Sequence, residues 1–255
     1  MVKTLLVFVK YKNKKEIFTN GTILYHSKEV LQIVNDDGIE WDEVKLIEYS
    51  ENGLYNEDMN EFNKLKNEIE KYKVIPVKFY SKIRGKLNKF WHYTLKNLIF
   101  SDDTSITLTK KESPSKKRKR IAGSAPNVKN FLKLGTVFKG RAIYLVNLVK
   151  VHDIAHYPEG YEGKQVSGKK AIFKYARIAY KYNKKHNNIF KFSGLANSTI
   201  ADNTGTETNW HSIAIVKYAS RESLQKFVSE DAFKAGYEHK DAALEATYVY
   251  ASSKF

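Results

Sequence analysis

The chain has no cysteine, and only 2 methionines, 4 prolines and 13 glycines among its 255 residues. Without cysteine there is no disulfide framework, no thiol nucleophile and no Cys-ligated zinc site. No apolar run approaches the roughly 18 residues that a membrane span needs, so no membrane partner is expected. The opening stretch, MVKTLLVFVKYKNKKE, has no small-residue cleavage site after its short apolar run and reads as a first β-strand rather than a signal peptide. Phosphate loops of the G-x-x-x-x-G-K-[ST] or G-x-G-x-x-G type are missing, as is a G-x-S-x-G nucleophile elbow. No cofactor is therefore implied, and a Ser–His–acid triad has no support.

What is present argues for packed, folded material. Hydrophobic residues make up 42 % and aromatics 13 %, which disordered chains lack. The formal charge is +16, an invitation to an anionic partner that names none. It is unevenly spread: residues 1–60 hold 7 basic and 11 acidic side chains, residues 61–141 hold 21 and 6, and residues 142–255 hold 16 and 11. The peak is KKESPSKKRKR at 110–120. Like charges with Pro, Ser and Gly cannot pack and repel one another into an extended form. Residues 110–128 are thus expected to be a basic linker between an N-terminal α+β domain, 1–109, and a second domain, 129–255.

In the first domain, Thr4–Tyr11 and Trp41–Tyr49 read as strands, and Asn20-Gly21 as a tight turn. Met59, Phe62, Ile69 and Tyr72 fall on one stripe and suggest a helix over 56–72. Val74–Tyr80 reads as a strand near a sheet edge, because Pro76 cannot donate to a ladder. Phe90–Phe100 and Thr104–Thr109 suggest a hairpin. No family resemblance attaches to this domain.

In the second domain, Ala142–Val151 reads as a strand apolar on both faces. Ser167 can cap a helix carrying Ala171, Tyr175, Ile178, Ala179 and Tyr182. Strands at Phe190–Ala196 and Ile213–Tyr218 flank a turn at Asn203-Thr-Gly205. Ser220 can cap a second helix with Leu224, Phe227 and Val228, and Ala246–Ala251 is a last strand. The order is β-α-β-β-α-β, the ferredoxin-like split unit.

The wording of this half carries more. Asn147-Leu-Val-Lys150, Tyr157-Pro-x-Gly160, Val166-Ser-Gly168, Ala171, Tyr175, Ser193-Gly194, Trp210, Ile215-Val-Lys-Tyr-Ala-Ser-Arg221 and His239-Lys-x-Ala-Ala-Leu-Glu-x-Thr247 follow one another in order. Together they resemble the dimeric α+β-barrel superfamily, closest to the family called domain of unknown function thirteen-thirty. The resemblance covers residues 139–250. It implies a homodimer whose two sheets face each other around a barrel interior, with a small molecule or self-association as the role. Superfamily relatives include cofactor-free monooxygenases, isomerases and heme-binding enzymes, so fold alone chooses no reaction. Residues 39–50 line up with 208–219, Trp41 on Trp210 and Tyr49 on Tyr218, which raises an intramolecular pairing of two such units.

Several constellations compete. Asn147 and Lys150 break an apolar strand, and the resemblance would bring Tyr175, Trp210, Tyr218, Arg221 and His239 to the same pocket. His239 is the candidate for proton transfer, since imidazole titrates near neutral pH; each of these residues is individually as well explained by packing. His152-Asp153-x-x-His156 has metal-ligand residue types, but it lies in a loop without further donors, so no metal is expected. Lys116, Lys117, Arg118, Lys119 and Arg120 fit a phosphate-binding arm or a nuclear-import signal. With Phe90, Trp91 and Tyr93 and the lysines around them they allow a nucleic-acid or polyanion partner. An intracellular, cytoplasmic setting is the expectation, with nuclear import through the basic run.

Overall fold

The structure is a computed structural model that describes residues 3–13, 16–34, 38–79, 127–158, 165–206, 209–234 and 236–253. Save for Phe79, these residues belong to one compact unit formed from Met1–Lys78 and Arg120–Phe255. The hairpin expected at 90–109, the basic run and most of the 110–128 linker lie outside the described residues.

Continuous runs of β-formers produce the strands. In chain order these are β1 (Lys3–Tyr11), β2 (Thr22–Ser27), β3 (Val30–Val34), β4 (Glu43–Tyr49), β5 (Ile69–Phe79), β6 (Ile143–Val151), β7 (Ile189–Ala196), β8 (Ala201–Asp202), β9 (Ser212–Tyr218) and β10 (Leu244–Ser252). The helices are α1 (Asn52–Leu65), α2 (Val128–Val137), α3 (Gly168–Lys185), α4 (Arg221–Ser229), α5 (Asp231–Lys234) and α6 (Tyr237–Ala243). Ser167 and Ser220 accept the backbone N–H groups of Lys170 and Ser223, capping α3 and α4 as expected. Asn127 caps α2 in the same way, through the Asn130 N–H.

The sheet order is β2-β4-β1-β5-β7-β9-β6-β10-β3, with β8 beside β5. The C-terminal half, β6-α3-β7-β9-α4-β10, has the spatial order β7-β9-β6-β10. The N-terminal half, β1-β2-β4-α1-β5, has the order β2-β4-β1-β5. Both are the second-third-first-fourth arrangement of a ferredoxin-like unit, so the fold is mixed α+β on an antiparallel sheet. In the N-terminal half the described residues between β1 and β2, 12–13 and 16–21, form no helix. The two ends of the order, β2 and β3, are separated by Lys28 and Glu29 only, so one short stretch of chain carries the sheet from β4 round to β10.

Side chains alternate across each strand. One face packs against helices: Leu5, Val7, Ile47 and Tyr49 meet Phe62 of α1, while Ile143, Leu145, Val216 and Tyr218 meet Leu134, Ala179, Leu224 and Phe227. No helix among the described residues packs on the other face, yet Leu6, Phe8, Leu46, Ile75, Val146, Leu148, Ile215 and Tyr250 are all buried. They face one another across a closed interior. The Phe8 and Tyr250 rings pack at a tilt with centroids 4.6 Å apart, and those of Tyr25 and Tyr144 likewise at 5.4 Å. These buried side chains line the interior, which explains why β6 is apolar on both faces.

Several segments differ from the sequence expectation. The helix ends at Leu65, and Ile69 and Tyr72 lie on the helix-facing side of β5 instead of on a helical stripe. β5 is not at an edge: Pro76 sits opposite Leu5 and its carbonyl accepts the Asn197 N–H at 3.0 Å, because proline loses only its donor. β3 and α2 are additional. α2 seats on β3 through Asn127 N–H to Ile33 O (2.9 Å) and Asn130 Nδ2 to Gln32 O (2.9 Å).

Candidate functional site

Each half ends its first strand with the same local construction. In the N-terminal half Asp42 N–H donates to Val9 O at 3.0 Å, and Tyr11 N–H donates to Asp42 Oδ2 at 2.8 Å. In the C-terminal half His211 N–H donates to Val149 O at 2.9 Å, and Val151 N–H donates to His211 Nδ1 at 3.1 Å. A bulge skips Glu70 in the β1–β5 ladder and Glu245 in the β6–β10 ladder. A bulge tips the extra side chain off its usual face. Glu70 thereby reaches Lys10 (3.0 Å), and Glu245 reaches Lys150 (2.5 Å). Trp41 and Trp210, each two residues before its strand, turn inward to Phe8 (5.5 Å) and Tyr248 (5.1 Å).

The C-terminal mouth opens into a cleft of about 630 Å³. Lys150, Val151, His152 and Asp153 form one side, Ala196, Asn197 and Ser198 another, and Asn209, Trp210, His211 and Glu245 the rest. The His152 ring stacks on His156 with centroids 4.1 Å apart. No group of three metal-ligating side chains occurs among the described residues, and this pair remains a stacked pair in a loop.

Beneath the cleft lies a buried cation. Lys73, on the interior side of β5, is fully buried. Its Nζ lies 2.6 Å from Thr206 Oγ1 and 3.5 Å from Asp202 Oδ2. The rings of Tyr248 and Trp210 stand 5.4 and 5.9 Å away, within cation–π range.

Of the residues singled out in the sequence, Lys150 and Trp210 meet at this cleft. Trp210 is 2 % exposed, and its indole N–H has no acceptor among the described residues. Asn147 donates to the Leu145 and Ala214 carbonyls at 3.0 and 3.2 Å. Tyr175 and Tyr218 lie in the helix–sheet layer with Phe233, Tyr237 and Phe227. Burial, and then the neighbouring tyrosine Tyr237, hold both phenols well above the ordinary tyrosine range. Arg221 opens α4 and lies over Gly135, where a Cβ would come within 2.8 Å of Nη1. His239, on α6, pairs through Nδ1 with the Tyr157 hydroxyl at 2.9 Å. Lys116–Arg120 lie outside the described residues. Sequence reading did not single out His211, Lys73 or Asp202. The alignment of Trp41 with Trp210 does set Asp42 against His211, which is the signal for the first of them.

Desolvation, and then the charge of Lys174, push the His239 imidazole below its ordinary value. A depressed imidazole favours the folded state while neutral, so its contribution is present above the ordinary pKa and is lost as pH falls below it. We expect a His239→Leu variant to lose less stability than the parent between pH 7 and 5, read by urea denaturation at each pH.

No protein-family model matches the chain, and no curated protein matches it. Solved structures do share part of its shape. RPA0582, a protein of unknown function from Rhodopseudomonas palustris, aligns at 17 % identity and a TM-score of 0.45, covering 51 % of this chain and 95 % of its own. A structure described as a monooxygenase candidate from Lactobacillus acidophilus aligns at 10 % identity and 0.41, over 99 % of this chain and 93 % of that one. An anthrone oxidase-like protein aligns at 8 % and 0.42, over 100 % and 91 %. Similarities of this depth say nothing about chemistry.

Proposed function

We propose that the protein is a single-chain α+β barrel, made of two ferredoxin-like copies, that binds a small polar molecule at its C-terminal mouth. The cleft of about 630 Å³ carries this reading. A cleft of this size is in the range of small-molecule sites, and its mostly polar lining suits a polar ligand. Two tests follow. Light scattering should give a monomer near 29.5 kDa, since the second copy already supplies the partner sheet; an obligate dimer would count against the single-chain barrel. In a crystallographic fragment screen, hits should gather against Lys150, Trp210 and His211. Hits that avoid this cleft would refute it.

The concentration of 21 basic against 6 acidic residues in 61–141 favours a second reading, polyanion binding through the basic segment. Anisotropy of a labelled oligonucleotide tests it: neutralising Lys116–Arg120 should weaken binding and flatten its salt dependence by about 0.9 for each phosphate that the arm no longer neutralises. An unchanged affinity and slope would end this reading.

A further inference from the structure

The two mouths serve as internal controls for one another. Lys10 with Glu70 and Lys150 with Glu245 are the same bulge-spanning pair, and Trp41 and Trp210 are the same inward anchor. What both copies carry is explained by holding the strand ends together. What differs is left for function, and the sharpest difference is Asp42 against His211. Both side chains accept the N–H of the residue that closes the first strand, Tyr11 or Val151. A carboxylate does this with acceptors to spare. A neutral imidazole does it by committing Nδ1, which places its proton on Nε2. His211 therefore presents a fixed N–H donor, in a cleft where that donor meets no acceptor among the described residues.

Charge narrows what the donor takes. The cleft lining holds one ammonium, Lys150, already bound to Glu245, and a second carboxylate, Asp153. With the imidazoles neutral, the lining is negative by one charge. An anionic ligand would be repelled at a site where a hydrogen-bond donor waits, so the matching acceptor is an uncharged oxygen.

We propose that His211 Nε2–H orients the ligand of this cleft by donating to a carbonyl oxygen, and that the ligand is a neutral amide or ketone. This rests on the cleft being a ligand site. The second copy supplies the test variant. His211→Asp keeps an acceptor for the Val151 N–H, as Asp42 does for Tyr11, and replaces the donor by an anion. Benzamide, benzoate and benzylamine are titrated into the full chain and followed by ¹H–¹⁵N spectra of the cleft residues and the imidazoles. Benzamide should shift the cleft resonances and move the His211 Nε2–H proton downfield, benzoate should bind more weakly, and His211→Asp should weaken benzamide by at least about tenfold. Equal benzamide binding by parent and variant would remove His211 as the donor. Benzoate binding as tightly as benzamide would overturn the neutral class while leaving the cleft a ligand site. If none of the three probes perturbs the cleft, the site itself fails. The Nε2–H shift is read in the parent protein, so a His211→Asp chain that does not fold would leave the contact testable.

Discussion

Lys73→Met should lower the free energy of unfolding by about 3–5 kcal/mol, the range found when one member of a buried ion pair is removed. The lysine is fully buried, and its partner Asp202 has a side chain only 7 % exposed. Removing the cation strands the carboxylate. A second change, Asp202→Asn, should restore most of the loss, because a buried pair is weakly stabilising as a whole while each half alone is costly. The pair matters through its place. The β7–β9 connection crosses from the C-terminal copy onto β5 of the other, with Ala201 and Asp202 laddered to Val74 and Lys73. Asn203 extends the seam, its Oδ1 taking the Tyr72 N–H at 2.8 Å and its Nδ2 donating to Glu70 O at 3.1 Å. Urea denaturation of the parent, both single variants and the double variant gives the cycle. A single Lys73→Met loss below about 1 kcal/mol, the level of an exposed pair, would show that the cation is not buried as described.

The fold was more legible than the site, and for a physical reason. β1, β6 and β9 announce themselves as runs of Leu, Val and Ile, β4 by alternation of Val44 and Leu46 with Glu43 and Lys45, although both charged residues are buried, and α3 and α4 by a serine cap followed by apolar residues at helical spacing. Those signals are local. Ile69 and Tyr72 show where local signals stop: three residues apart, they fit a helical stripe, and only the pairing of Tyr72 with Val9 on β1 makes them strand. β3 was hidden because Gln32, buried in its centre, breaks the apolar run. The site is built from contacts distant in sequence: Lys73 with Asp202, Lys150 with Glu245, Val151 with His211. A single sequence carries no trace of such pairs. The alignment of residues 39–50 on 208–219 is the exception, since it places Asp42 over His211. The structure gives those two residues the same hydrogen bond.

The repeat also has a missing part, and Asp58 should prove to be what replaces it. In the C-terminal copy α3 joins the first two strands. In the N-terminal half no helix is described between β1 and β2, and the Asp58 carboxylate helps to hold residues 19 and 20 against the sheet. Asp58, on α1, is fully buried. It accepts the backbone N–H groups of Thr19 at 3.2 Å and Asn20 at 3.2 Å, and the Tyr49 hydroxyl at 2.7 Å. That loop turns through Phe18 at φ 58°, left-handed backbone that a phenylalanine adopts only when its surroundings impose it. Gly21 then passes so close to β4 that a Cβ would lie 2.4 Å from Ile47 Cγ2. Asp58→Ala removes three hydrogen bonds to a charged acceptor and leaves the Tyr49 hydroxyl buried without it. Charge-assisted bonds contribute about 1.5–3 kcal/mol each, but Thr19 and Asn20 are exposed enough for water to take up their N–H groups. A loss of about 3 kcal/mol is therefore expected, against about 1 kcal/mol for Tyr49→Phe, which removes one bond and leaves the other two. Hydrogen exchange separates loop from core: in Asp58→Ala the amides of Thr19 and Asn20 should lose protection, while those of β6 and β9 fall only with global stability. Equal losses for the two variants, or Thr19 and Asn20 amides that stay protected, would mean that the carboxylate does not hold the loop.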